Sequence, residues 1–466
     1  MEKSAAQLTA KDEAFRSFAL QDNMWHVIFQ VCAPLALYQS LNQIFKMLDT
    51  MMAAHISAES ISTVAYLSQI NMTLAAIGGG LAVGASLKIS EAYGAGDYEL
   101  VKSRVSSLFG LCALLSIAIL LFILPFTTQF LRLANTPEEM IALGSQYFIV
   151  ELLGMIISFF NNVYIAIERA RGNSKRILYL NLLTIAIKLI LTASFVYILR
   201  SGITMIAVAT ILSQLVILAA AFINMRDQNN AFGFSLKSIR FKGRVTTPMI
   251  VLSIPVIAEK IAFSLGKVVV NSMSTVYGAL TVGALGISNT IGGMTTVPQN
   301  GFQDGGAAII SQNLGANNPQ RALDAFKKIL IINVIIGAIG YIVTIGFLDA
   351  ISTFFAGDDT VFATHIARIY YFEAMACIPL GINAAVMALL YGFGYTKLTL
   401  LINFSRVFVF RMPVLWALQT FTNLGTESVG IVMMVSNILT GVLAAAVAAV
   451  MLKKIYRQTN TPPVII

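Results

Sequence analysis

The sequence predicts an all-α integral membrane protein, with twelve transmembrane helices in two six-helix lobes related by a pseudo-two-fold axis along the membrane normal. Three observations carry that prediction. Hydrophobic residues make up 57% of the 466 positions and charged residues 11%, a composition unlike that of a soluble enzyme. Apolar runs of about 20 residues recur along the chain, each long enough to cross a hydrocarbon core of about 30 Å as a helix. The second half of the chain repeats the first. The strand-length alternation that builds a transmembrane β-barrel is missing.

Residues 1–23, MEKSAAQLTAKDEAFRSFALQDN, are polar and lack the apolar core of a signal peptide, so they are expected as a cytoplasmic segment. The N-lobe, 24–224, holds spans near 27–52, 61–86, 105–131, 141–166, 177–199 and 203–224. A polar, basic linker, 225–246, is expected on the cytoplasmic surface. The C-lobe, 247–454, holds spans near 247–272, 280–310, 329–348, 366–391, 398–421 and 428–452, followed by a tail, 455–466. Cytoplasmic loops collect Lys and Arg. With the N-terminus inside, most of the 31 such residues, among them Lys11, Arg104, Arg171, Arg244 and Lys454, fall on the inner side, against Arg132 and Arg200 outside. Both termini are therefore expected in the cytoplasm and the protein in the plasma membrane, the inner membrane in a bacterium. The net charge of +9 then reports orientation and not nucleic-acid binding.

The repeat is read by sliding the chain against itself. A shift of 221 residues aligns Pro34 with Pro255, Lys46 with Lys267, Gly80 with Gly301 and Gly84 with Gly305. A shift of 222 aligns Glu151 with Glu373, Asn161 with Asn383 and Gly172 with Gly394. An even number of spans per repeat keeps both copies in one membrane orientation around a central cleft, and rocking of the lobes about a midplane site is expected.

The motifs LDTMMAAHIS, GGGLAVGASLKISEAYGAGDYELVKSR and the repeat copy PQNGFQDGGAAIISQNLGANNPQRALDAFKK, with RARGNSK and YGFGYTK after spans 4 and 10, carry a family likeness. Their order, spacing and duplication resemble the multidrug and toxic compound extrusion (MATE) transporters, from about Met24 to Lys454, and most of all the DinF-like branch. The resemblance implies a monomeric exporter of amphipathic small molecules, driven by a proton or sodium gradient. It implies a coupling carboxylate in helix 1, fifteen residues after a kink proline, which is the spacing of Pro34 and Asp49. Other polar positions then fall at Tyr147 and Asn162 in helix 4, Lys188 and Thr192 in helix 5, and Thr210 in helix 6. Lys188 and Thr192 depart from the branch pattern of asparagine and aspartate, which favours H+ over Na+. The glutamate of the NorM-like branch is Phe263 here, Glu259 is one turn short of its place, and no helix 10 carboxylate lies near Pro379.

An ionisable group at mid-membrane costs a few kcal/mol, so it is paired, wetted or functional. Asp49 is read as the coupling group. Lys188, near the middle of its span, is read as its partner, an ammonium standing where a metal cation would otherwise bind. Lys46 shares the Asp49 face, three residues apart on a helix, with snorkelling as the structural alternative for Lys46 and its repeat mate Lys267. Arg406 and Arg411 add positive charge to the C-lobe, so Lys46, Lys267 and Arg406 are read as lining a cleft suited to anionic or zwitterionic amphiphiles. Pro34, Pro255 and Pro298 are the expected hinges. The glycines between Gly283 and Gly306 fit either a bendable helix or close packing. Cys32, Cys112 and Cys377 and the three histidines lack metal-ligand spacing, and GGG at Gly78 to Gly80 lacks the strand and lysine of a phosphate loop. No metal, cofactor or enzyme chemistry is expected. A lipid-linked oligosaccharide flippase of the same superfamily is the competing reading, favoured by the Lys and Arg cluster.

Overall fold

The computed structural model describes residues 6–53, 58–134, 136 and 138–459, with the side chains at 46–53, 58–66, 68, 69, 143, 203, 458 and 459 outside that description. In chain order the helices are α1 (Ala10–Gln21), α2 (Met24–Ala53), α3 (Ala58–Ala95), α4 (Tyr98–Ile123), α5 (Thr127–Leu133), α6 (Glu138–Ala170), α7 (Ser174–Ala193), α8 (Ile203–Met225) and α9 (Thr247–Ser274). They continue as α10 (Ala279–Gly315), α11 (Pro319–Gly346), α12 (Leu348–Ala356), α13 (Thr360–Ala374), α14 (Cys377–Gly392), α15 (Thr396–Phe404), α16 (Met412–Phe421) and α17 (Glu427–Thr459). Among the described residues, nine helices are long and apolar enough to cross a membrane, or ten if the bent pair α13 and α14 is one span. The long but more polar α2 and α10 complete twelve spans.

Spans 3, 10 and 11, continuous apolar runs in the sequence, are interrupted in the structure. Span 10 breaks at Met375 and Ala376, with its two parts bent by 52°. Pro379 lies in the first turn of α14, where its missing N–H costs nothing, but a continuous helix would drive its ring into the carbonyl of Met375. Pro125 lies in the break between α4 and α5, and α4 ends just before it. Span 11 passes through a π-helical segment, Ser405–Arg411, which ends two residues before Pro413.

The chain divides into two compact units, one of Met1–Gln21 with Leu37–Ile261, the other of Asp22–Ala36 with Ala262–Ile466. The changeovers therefore fall inside α2 and α9, shortly after Pro34 and Pro255. Repeated glycines explain why. A Cβ on Gly301 of α10 would lie 2.4 Å from the Ala36 Cα, and one on Gly305 would lie 2.6 Å from the Cys32 Sγ. In the first unit a Cβ on Gly80 of α3 would lie 2.7 Å from the Ile257 Cα, and one on Gly84 would lie 2.5 Å from the Ser253 Cα. The contact partners obey the same 221-residue shift as the glycines, so each repeat docks the first half of α2 or α9 by the same backbone approach. At these positions the structure decides for close packing, the use of small residues that lipid-embedded helices depend on. The repeat extends to the caps, where the side chains of Asp97 and Asn318 accept from the N–H groups of Leu100 (3.0 Å) and Arg321 (3.2 Å) to start α4 and α11.

Residues 6–21 form a cap on the first unit. Thr9 begins α1 by accepting from the Asp12 N–H at 3.2 Å. Gln7 pairs with the linker, its N–H donating to the Asn229 carbonyl and its carbonyl accepting from Ala231. The Arg171 guanidinium, in the turn after α6, donates to both Asp12 oxygens at 2.9 Å and to Glu168 at 3.1 Å. Glu168 also accepts from Asn173 and Arg176. Asp12, Glu168 and Arg171 are 1%, 0% and 7% exposed, and Arg171 lies 5.1 Å from the Phe232 ring of the linker. Burial alone would lower the Arg171 pKa, but Glu168 and Asp12 more than reverse that and hold it above the ordinary arginine value. Gly172 follows with φ +81°, and a Cβ there would overlap the Phe15 ring of α1.

Candidate functional site

Each unit holds a carboxylate from the helix that opens its fourth span, half-buried Glu151 in the first and buried Glu373 in the second, and the two are repeat mates. In the first unit Glu151 of α6 accepts from the Tyr147 hydroxyl at 2.6 Å, one helical turn away, and from the Asn71 amide of α3 at 2.5 Å. Tyr147 is 2% exposed. Of the other residues expected here, Thr192 is fully buried and its hydroxyl finds no hydrogen-bond partner among the described residues. Thr210 donates to the Ile206 carbonyl of its own helix at 3.1 Å. Asn162 is half-buried, while its neighbour Asn161 makes the bonds between α6 and α8, to the Gln214 carbonyl at 2.9 Å and its side chain at 2.7 Å. Lys188 is half-buried in α7. Lys46 and Asp49 lie on α2, and their side chains fall outside the described residues.

In the second unit Glu373 of α13 accepts from the Ser288 hydroxyl of α10 at 2.5 Å. Arg411, Arg406 and Lys267 all act on it electrostatically. Arg411, 3% exposed, donates to Asn437 Oδ1 at 2.8 Å and to Ser436 Oγ at 3.1 Å. Arg406 donates to the same Asn437 oxygen at 2.9 Å. Lys267 Nζ and the Arg406 guanidinium both stand against the Phe263 ring, at 5.0 and 5.2 Å. An ammonium or guanidinium over an aromatic face is stabilised by the ring quadrupole, more so where water is scarce. Phe263, at the place where the resemblance would put a glutamate, thus serves as a cation platform.

The local fold makes this cluster. In an α-helix, residues five apart point about 140° apart. The π-helical stretch Ser405–Arg411 has a longer turn, built on i→i+5 hydrogen bonds, and brings Arg406 and Arg411 onto one face. Both can then reach a single amide of α17. The sequence shows both arginines, but nothing in their spacing signals their convergence. It also shows Glu373 as the repeat mate of Glu151, the one signal that could have marked it. Pro379 lies after the break, whereas the buried carboxylate, Glu373, sits just before it. Among the described residues no group of His, Cys, Asp and Glu could hold a metal ion.

Twelve membrane-spanning helices in two repeated units, with ionisable groups buried among them, define a polytopic membrane transporter. The MatE family profile matches residues 34–194 and 255–417, one block in each repeat, and the chain belongs to that family of multidrug efflux transporters, not of enzymes. It is 22% identical over 412 residues to the probable multidrug resistance protein YoeA of Bacillus subtilis, covering 86% of this chain and 88% of that one. It is 23% identical over 368 residues to the multidrug export protein MepA of Staphylococcus haemolyticus, covering 77% and 80%. A MOP superfamily transporter from Pyrococcus furiosus, described under a reversed polarity of its binding pocket, has the same fold at TM-score 0.89 and 19% identity, covering 97% of this chain and 99% of that one.

Proposed function

We propose that this protein is a secondary active antiporter that exports amphipathic small molecules by alternating access, coupled to protons through Asp49. The observation that carries the reading is the MatE match in both repeats, laid over twelve spans. The names of YoeA and MepA support a drug-like cargo. Asp49 follows Pro34 at the spacing of the coupling carboxylate in the DinF-like branch, and Lys188 is positioned by the same resemblance as its partner. A fixed ammonium beside Asp49 supplies the charge that sodium would otherwise bring, so the proton is the coupling ion. The protein works as a monomer in the plasma membrane with both termini in the cytoplasm.

Everted membrane vesicles carrying the protein test the export reading. A fluorescent amphiphile should accumulate in energised vesicles, and a protonophore should abolish the uptake. Movement of a labelled lipid between leaflets, without uptake of the amphiphile, would replace the reading with a flippase.

A further inference from the structure

We infer that the Arg406–Arg411 pair of the second unit is a binding site for an oxyanion, the carboxylate or phosphate-type head of an amphipathic molecule. The inference deepens the export reading and rests on it.

Charge balance is the first argument. Among the described residues, Arg406 and Arg411 hydrogen-bond only to the neutral Ser436 and Asn437, and neither forms an ion pair. Glu373, the carboxylate of the cluster, is bonded by Ser288. Arg406, Arg411 and Lys267 against the single carboxylate of Glu373 leave positive charge inside a transmembrane bundle, where an uncompensated charge costs a few kcal/mol. A bound anion supplies the compensation.

Geometry is the second. Each guanidinium carries five N–H donors in a planar fork that fits a carboxylate or phosphate. Arg406 spends its Nε on Asn437, and its terminal nitrogens make no bond among the described residues. The Asn437 oxygen accepts from both arginines, yet its Nδ2 is buried with no acceptor among the described residues. Such a donor costs about 1–3 kcal/mol while unsatisfied, and an anionic oxygen held by the arginines can satisfy it.

The test is fluorescence titration of the purified protein in uncharged detergent with a dansyl-tagged long-chain carboxylate and its amine isostere. The native protein should bind the carboxylate about tenfold or more tighter than the amine. Arg406→Gln should lose that preference through weaker carboxylate binding, and Arg406→Lys should keep most of it. Arg411 is left in place because it is built into the packing of α17. Equal or tighter binding of the amine by the native protein would overturn the inference, as would a carboxylate affinity that Arg406→Gln leaves unchanged. In nanodiscs, displacement of the probe by added phosphatidylglycerol assigns the oxyanion to a lipid head, and persistence of binding assigns it to cargo. Either result keeps the oxyanion site. Binding is read without a gradient, so a failure here leaves the vesicle result standing, and a failure of export leaves the site standing.

Discussion

Asp49→Asn is expected to abolish gradient-driven efflux while the protein still folds and inserts. An amide is nearly isosteric with the carboxyl group but cannot take up and release a proton, so a step that needs protonation at this place stops. Folding should survive, because the amide keeps the shape of the carboxyl group and Lys188, which would lose this partner, is only half-buried. The expected loss is at least about 100-fold in initial rate, the scale of a missing proton-transfer group. Substrate binding without a gradient should persist. The check is paired rate and binding measurements on one reconstituted preparation, with full gradient-driven transport by Asp49→Asn as the result that removes this residue from the mechanism.

Arg171→Ala is expected to give the largest loss of stability. It strands Asp12, whose two bonds to the guanidinium vanish, and leaves Glu168 with Arg176 and Asn173. Breaking a buried pair from one side typically costs about 3–5 kcal/mol, because the other charge remains buried. The cap of α1 on the turn after α6 should loosen, exposing Phe15 and Phe18 to chymotrypsin. Thermal unfolding in detergent and the rate of N-terminal cleavage both report it. Arg171→Lys should recover only part, since an ammonium cannot engage Asp12 through a two-toothed fork. An unchanged melting temperature with unchanged cleavage would show that the cap does not depend on this pair.

The large features of the fold are legible in the sequence because they rest on periodic or repeated signals. Lipid demands apolar runs of fixed length, and the 221-residue shift names Gly80, Gly84, Gly301 and Gly305 before any contact is seen. The structure adds that these glycines receive the first halves of α9 and α2, a contact partner that no composition rule supplies. Pro379 announces an irregularity, yet the break falls four residues earlier, where its ring would meet a carbonyl. The convergence of Arg406 and Arg411 depends on a π-helical stretch that has no residue signature. The Asp12 to Arg171 bridge joins positions too distant for any local pattern, so the sequence shows residues 1–23 only as a polar segment. In the first unit, Tyr147 meets Glu151 as one turn of helix dictates, whereas the pairing of Asp49 with Lys188 rests on the family resemblance and remains the proposal on which coupling depends.

That coupling is tested most directly in proteoliposomes of the native protein, with a proton gradient and a sodium gradient imposed separately and efflux of one fluorescent amphiphile followed. Transport should rise with the proton gradient, collapse when the pH difference is removed, and show no response to sodium. Sodium-driven transport in the absence of a pH difference would contradict the account, because the positive charge assigned to Lys188 would then not be standing in for a metal ion beside Asp49.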